Sequence, residues 1–173
     1  MLETIASWIF KTERPLYKND VVLNGKLFKN KILVISDQNT KKRLEGFGFC
    51  KAKTFILSDE MKHVPKEMFG HFLRGYFDGD GCLYIKQQKN KSYKARYSIV
   101  GHTPFIENLK QLLEQRFNYK IFGIYKKTEN EKIKELKSGN STFIKDVYLL
   151  MYNKATIYLT RKKNKFDLYM KGK

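Results

Sequence analysis

The hydrophobic positions of this chain change period several times, and each change marks an element. Leu2, Ile5, Ala6, Ile9 and Phe10 recur at helical spacing, which predicts a helix over 2–12 that stops near Pro15. Val21-Val22-Leu23 leads through the turn signal Asn24-Gly25 to Lys26-Leu27-Phe28, and Lys31 to Ser36 is rich in β-branched and apolar residues. Both stretches read as strand. Residues 39–46 read as a short helix ended by Gly46 and Gly48. A loop with Pro65 leads into a second long helix, 66–80, closed by Gly81.

Next comes the clearest hairpin, Leu83 to Gln88 and Tyr93 to Val100 around the polar turn Lys89-Asn90-Lys91-Ser92. Tyr84, Lys86 and Gln88 share one face with Lys94, Arg96 and Ser98; Leu83, Ile85, Ala95, Tyr97 and Ile99 form the other. A period of two over this length excludes a helix and gives one apolar and one basic face. Thr103 then reads as the cap of a helix with Pro104 at its first position and Phe105, Ile106, Leu109, Leu112 and Leu113 on one side. Two more strands are predicted, Lys120 to Thr128 and Thr142 to Tyr152, joined by a charged loop, and a last helix over Ala155 to Tyr169. The order helix, strand, strand, helix at 2–46 is echoed at 105–168, a repeat of pattern more than of letters.

Charge changes the picture. The 173 residues hold 35 Lys and Arg against 17 Asp and Glu, a net of +18. The excess is spread, +6 over residues 1–66 and +12 over 67–173, so it is not a tail. At 42% hydrophobic residues the chain has material for a core, which excludes a disordered basic segment. A folded domain this basic repels itself unless a polyanion is its partner, and nucleic acid is the default. An anionic membrane surface would favour one strongly amphipathic basic helix, and none stands out. No apolar run approaches the roughly 20 residues of a membrane span. Met1-Leu2-Glu3-Thr4 lacks a basic secretory start, so the expected location is cytoplasmic or organellar, not secreted. Cys50 and Cys82 are too few for a zinc quartet or a disulfide framework and read as reduced thiols.

The candidate chemistry lies in Phe72-Leu73-Arg74-Gly75-Tyr76-Phe77-Asp78-Gly79-Asp80-Gly81. Gly75 and Gly79 each weaken a helix by about 1 kcal/mol relative to Ala, but at four-residue spacing they let another backbone approach closely. Asp80 falls at the carboxyl end, where a carboxylate opposes the helix dipole unless a cation offsets it. A divalent metal meets that need. A solvated Asp-Gly turn is the plain alternative. Asp78-Gly79-Asp80-Gly81 is not a calcium loop, since the twelfth position from Asp78 is Lys89. His63, His71 and His102 form no zinc or nuclease cluster in the sequence.

Residues 73–81 resemble the signature of the LAGLIDADG homing endonucleases. Pro65 through Gly81 is similar to the entry into the second motif helix of two-motif members, and Ser98-Ile99-Val100-Gly101 and Tyr158-Leu159-Thr160-Arg161-Lys162 are similar to their flanking segments. The resemblance implies an α+β fold of αββαββα repeats whose antiparallel sheets lie on DNA. It covers 66–173 as one complete repeat and 1–65 as the later part of a preceding repeat lacking its motif helix and first hairpin.

The resemblance also implies roles. Asp80 would bind magnesium, or another divalent cation, beside the scissile phosphate, assisted by the Gly79 carbonyl. Lys154, after Tyr152-Asn153, matches the basic residue used near the active site; a solvent-facing lysine is the other reading. Lys86, Gln88, Lys94 and Arg96 would meet bases or phosphates, and Arg161, Lys162, Lys163 and Lys165 phosphates. Leu73, Gly75, Tyr76, Asp78 and Gly79 would form the interface between two motif helices. With one motif per chain, a double-strand cut needs a homodimer or a complementing chain. The expected function is site-specific hydrolysis of double-stranded DNA; the alternatives are a DNA-binding remnant without double-strand cleavage and an RNA-splicing maturase.

Overall fold

The structure, a computed structural model, describes residues 2–10, 16–46, 61, 64–121, 123–126 and 132–172. The chain divides into two compact units, Met1–Phe49 and Cys50–Lys173.

In the first unit, α1 (Leu2–Phe10) precedes four short strands, β1 (Tyr17–Lys18), β2 (Val21–Leu23), β3 (Lys26–Phe28) and β4 (Lys31–Ile32), and α2 (Gln38–Gly46). β2 and β3 form the expected hairpin. Asn24 and Gly25 both take positive φ, 50° and 73°, as a two-residue hairpin turn requires. The strand expected over Lys31 to Ser36 is shorter: only Lys31–Ile32 pairs, and its partner is β1. The repeat therefore differs from the expected pattern, with two two-stranded sheets where one strand pair was read. Asp37 caps α2 by accepting from Thr40 N.

The second unit opens with a 3-10 turn, Lys66–Met68, running into α3 (Phe69–Asp80). Then follow β5 (Gly81–Gln87), β6 (Tyr93–His102), α4 (Thr103–Phe117), β7 (Ile124–Lys126), β8 (Ile133–Ser138), α5 (Ser141–Tyr152) and α6 (Thr160–Lys171). The four strands form one antiparallel sheet in the order β5-β6-β8-β7. Its inner face, with Leu83, Tyr97, Ile99 and Leu136, packs with Leu73 and Phe77 of α3 and with apolar residues of α4, α5 and α6 in a single core. The α+β expectation is met by these helices and antiparallel sheets. Among the described residues no helix is long and apolar enough to cross a membrane.

Four features of this unit differ from expectation. Residues 141–152 are helix, not strand. Asn140 caps them, its Oδ1 accepting from Thr142 N at 2.8 Å and Phe143 N at 3.1 Å, worth about 1 kcal/mol. Phe143, Ile144, Val147 and Met151 are fully buried at helical spacing. Their β-branched and aromatic character suggested a strand, but the capped 3.6 period decides. The strand lies in the stretch expected to be a charged loop, where Leu136 turns inward opposite Ile99 while Lys134 and Lys137 flank it. The last helix starts at Thr160 instead of Ala155, and α4 begins one residue early, with His102 at its cap and Thr103 inside.

Candidate active site and nucleic-acid interface

The motif string forms α3 from its fourth residue onward and the first residue of β5. Gly81 is required at that junction: a Cβ there would collide with the Phe77 ring. The polar residues of the motif helix tie it to the segment before and into α6. Arg74, buried, donates from Nε to Ile157 O and from Nη1 to Met151 O, both at 2.7 Å, and its Nη2 lies 2.8 Å from His71 Nδ1. Asp78, also buried, accepts from Leu159 N at 2.9 Å. Lys162 reaches back and donates to Phe77 O at 2.6 Å, Gly81 O at 2.7 Å and Gly79 O at 3.3 Å. A buried ammonium thus caps the negative end of α3, giving Gly79 O a donor and Phe77 O a second one beside the Gly81 N–H. Burial holds the Lys162 and Arg74 pKa values below their ordinary range, with the Asp78 charge opposing the shift in both.

Asp80 emerges from this junction exposed, and among the described residues no hydrogen bond or ion pair engages its carboxylate. Gly75 and Gly79 are exposed as well, with nothing within 4 Å of the place a Cβ would occupy. One side of α3 is therefore open, as an approaching helix needs. Leu73 and Asp78, expected on that side, point inward: Leu73 is fully buried in this unit's own core and Asp78 anchors Leu159. Tyr76 is half-buried, its hydroxyl donating to Val100 O at 3.0 Å; burial and the Asp80 charge push its pKa up to about 12.

The expected basic residues separate into groups. Lys154 stands exposed between α5 and α6 with φ of 57°, and no contact brings it to Asp80. The lysine at the motif end is Lys162, which is buried and bonded to carbonyls, so it is not placed as a surface phosphate contact. Lys163 is committed to Asp167, at 2.8 Å, and lies over the Tyr148 and Tyr158 rings. Arg161 and Lys165 are exposed one turn apart on α6.

On the outer sheet face, Lys86 stands directly opposite Lys94 and Tyr84 opposite Arg96. Like charges facing each other destabilise a strand pair unless an anion lies between them. Gln88 falls in the hairpin turn, its N–H donating to Ser92 O. The face also carries residues that the sequence reading missed. Lys137 sits over the Tyr125 ring at 5.5 Å, matching Arg96 over Tyr84 at 5.7 Å. Arg96, Tyr125, Lys137 and Asn140 line a hollow of about 460 Å³. No period-two signal marked Lys137 in the sequence: over 133–138 the apolar residues Ile133 and Leu136 stand three apart, on opposite faces of the strand.

A model of the LAGLIDADG-like domain matches residues 70–164, more than half of the chain. Among solved structures, the homing endonuclease I-CvuI in complex with its target is 16% identical over 61% of this chain and 65% of that one, with a TM-score of 0.44. The homing endonuclease I-GzeII in complex with a DNA target is 16% identical over 59% of this chain and 34% of that one, also at 0.44. The homing endonuclease I-LtrWI bound to target DNA is 17% identical over 61% and 36%, again at 0.44. The chain spans just under two thirds of the first of these and about a third of the other two. No curated protein matches it. The domain match begins at the α3 residues that carry Asp80 and runs through the sheet to the start of α6, and on that match the chain belongs to the LAGLIDADG family.

Proposed function

We propose that the chain is a homing-type endonuclease that hydrolyses phosphodiester bonds of double-stranded DNA with a divalent metal. The observation that carries this reading is the placement of Asp80, an exposed carboxylate at the end of α3 where Lys162 caps the carbonyls, adjoining a sheet whose outer face is basic and aromatic. A pure binder gains nothing from a carboxylate there. It opposes the helix dipole, at a cost of about 0.3–1 kcal/mol.

The donors suit a hard cation. Asp80 offers carboxylate oxygens, and the Gly79 carbonyl, already 3.3 Å from Lys162 Nζ, offers a further lone pair. Among the described residues no three His, Cys, Asp or Glu gather into a closed site. Magnesium needs no such cage; it takes one or two carboxylates and fills the rest with phosphate oxygens and water. Bound there, a divalent ion would stabilise charge on the phosphate oxygens. Lys86, Lys94 and Arg96 bring the sheet into the major groove, and Arg161 and Lys165 hold backbone phosphates. In the reaction, a water oxygen bonds to phosphorus, one ester P–O bond breaks, and a proton ends on the departing oxygen.

One Asp80 per chain cuts one strand. The open Gly75 and Gly79 side supports pairing with a second motif helix, from another copy or a complementing chain. We read 66–173 as one repeat and 1–65 as the later part of another. The test is incubation with supercoiled plasmid carrying the DNA that flanks the chain's own gene, joined without it. Magnesium should convert it to nicked or linear product, and chelation should stop this. Duplex binding without cleavage in magnesium would leave a DNA-binding protein instead.

A further inference from the structure

Tyr76 precedes Asp80 by one helical turn on α3, so both leave the helix on one side. Its ring stacks on Phe105 of α4, centroids 4.3 Å and planes 23° apart. Its hydroxyl donates a hydrogen bond to Val100 O at 3.0 Å. Lone pairs on that oxygen remain to accept. A Cβ at Gly101 would lie 2.5 Å from the same oxygen, so the hydroxyl occupies the space that a side chain on β6 would fill. Phenylalanine would serve the stacking and the burial equally well. Beyond the bond to Val100 O, the hydroxyl adds a polar atom on the side of α3 that carries Asp80 one turn on.

We propose that Tyr76 is a positioning residue whose hydroxyl accepts a hydrogen bond from a water beside Asp80 and aims that water at the phosphorus. This rests on the endonuclease reading. Tyr76 stays protonated and donates to Val100 O throughout, so it orients and does not act as acid or base.

The test compares wild type, Tyr76→Phe and Asp80→Asn on the plasmid substrate in single turnover. Tyr76→Phe should slow cleavage at saturating DNA by about tenfold or more, the scale of lost orientation. Its duplex affinity in EDTA and the shape of its pH–rate profile should stay as in wild type. A readout free of metal and DNA checks the geometry: Gly101→Ala should lower the melting temperature of wild type more than that of Tyr76→Phe, because the added methyl meets the hydroxyl first. Wild-type rates for Tyr76→Phe, with Asp80→Asn inert, overturn this inference alone. So does a parallel loss of affinity and rate, or an equal Gly101→Ala effect in both backgrounds. If wild type is as inert as Asp80→Asn, the endonuclease reading fails and this inference with it.

Discussion

Lys162 Nζ and the Gly81 carbonyl, 81 positions apart in the chain, meet at 2.7 Å in the interior. The same ammonium holds Phe77 O at 2.6 Å. Replacing Lys162 by Met keeps the stem and removes the ammonium from both carbonyls, leaving Phe77 O with the Gly81 N–H alone. Unfolding free energy should fall by roughly 1–3 kcal/mol, the scale of an unsatisfied buried polar group. Lys162→Arg should recover only part of it, because a planar fork cannot reproduce three converging bonds. Denaturant titration reads both values.

Arg74 makes the companion tie, with Met151 O and Ile157 O as acceptors. Arg74→Lys retains charge but cannot span two carbonyls from one rigid group, so it should cost about 1–3 kcal/mol. Equal stability of Arg74→Lys and wild type in urea would contradict this.

Much of this was legible in the chain. The hairpin after Gly81 appeared in its alternation, with Tyr84, Lys86, Lys94 and Arg96 on one face as found. The motif helix and the place of Asp80 at its carboxyl end followed from local spacing; its exposure did not, since the glycine spacing suggested a crowded junction. What was not legible depended on distant contacts. The residue numbers of Lys154 and Lys162 say nothing about which one folds back to α3; the hydrogen bonds of 157–162 decide it. Residues 141–152 were misread because β-branched composition competed with a helical period, and the Asn140 cap and burial in the core settled the competition. The expectation about Cys50 falls outside the described residues, whereas Cys82 is an exposed free thiol.

Alkaline pH should test the burial of Tyr76. Its pKa is raised from 10.0 to about 12, by burial first and the Asp80 charge second. Between those values the folded state holds a proton the unfolded state has lost, so stability present below pH 10 declines as pH rises toward 12. Tyr76→Phe removes this contribution. Its melting temperature should run parallel to wild type below pH 10 and fall less steeply above it. Identical slopes would show that Tyr76 is not held protonated.

The facing lysines Lys86 and Lys94 repel each other in the free protein. Lys86→Ala should therefore leave stability unchanged or slightly raised, while weakening duplex binding. The slope of log affinity against log salt should fall by about 1 if one phosphate contact is lost. An unchanged slope and affinity would remove the β5–β6 face from the DNA interface.

The central claim is that Asp80, presented at the capped end of α3, supplies the carboxylate for strand cleavage. The most direct measurement incubates the flank-joined supercoiled plasmid in magnesium with wild type, with Asp80→Asn, and with an equal mixture of the two. Wild type should give nicked or linear product and Asp80→Asn neither; where wild type linearises the plasmid, the mixture should add nicked circles from pairs holding one working carboxylate. Cleavage by Asp80→Asn at the wild-type rate would contradict the account.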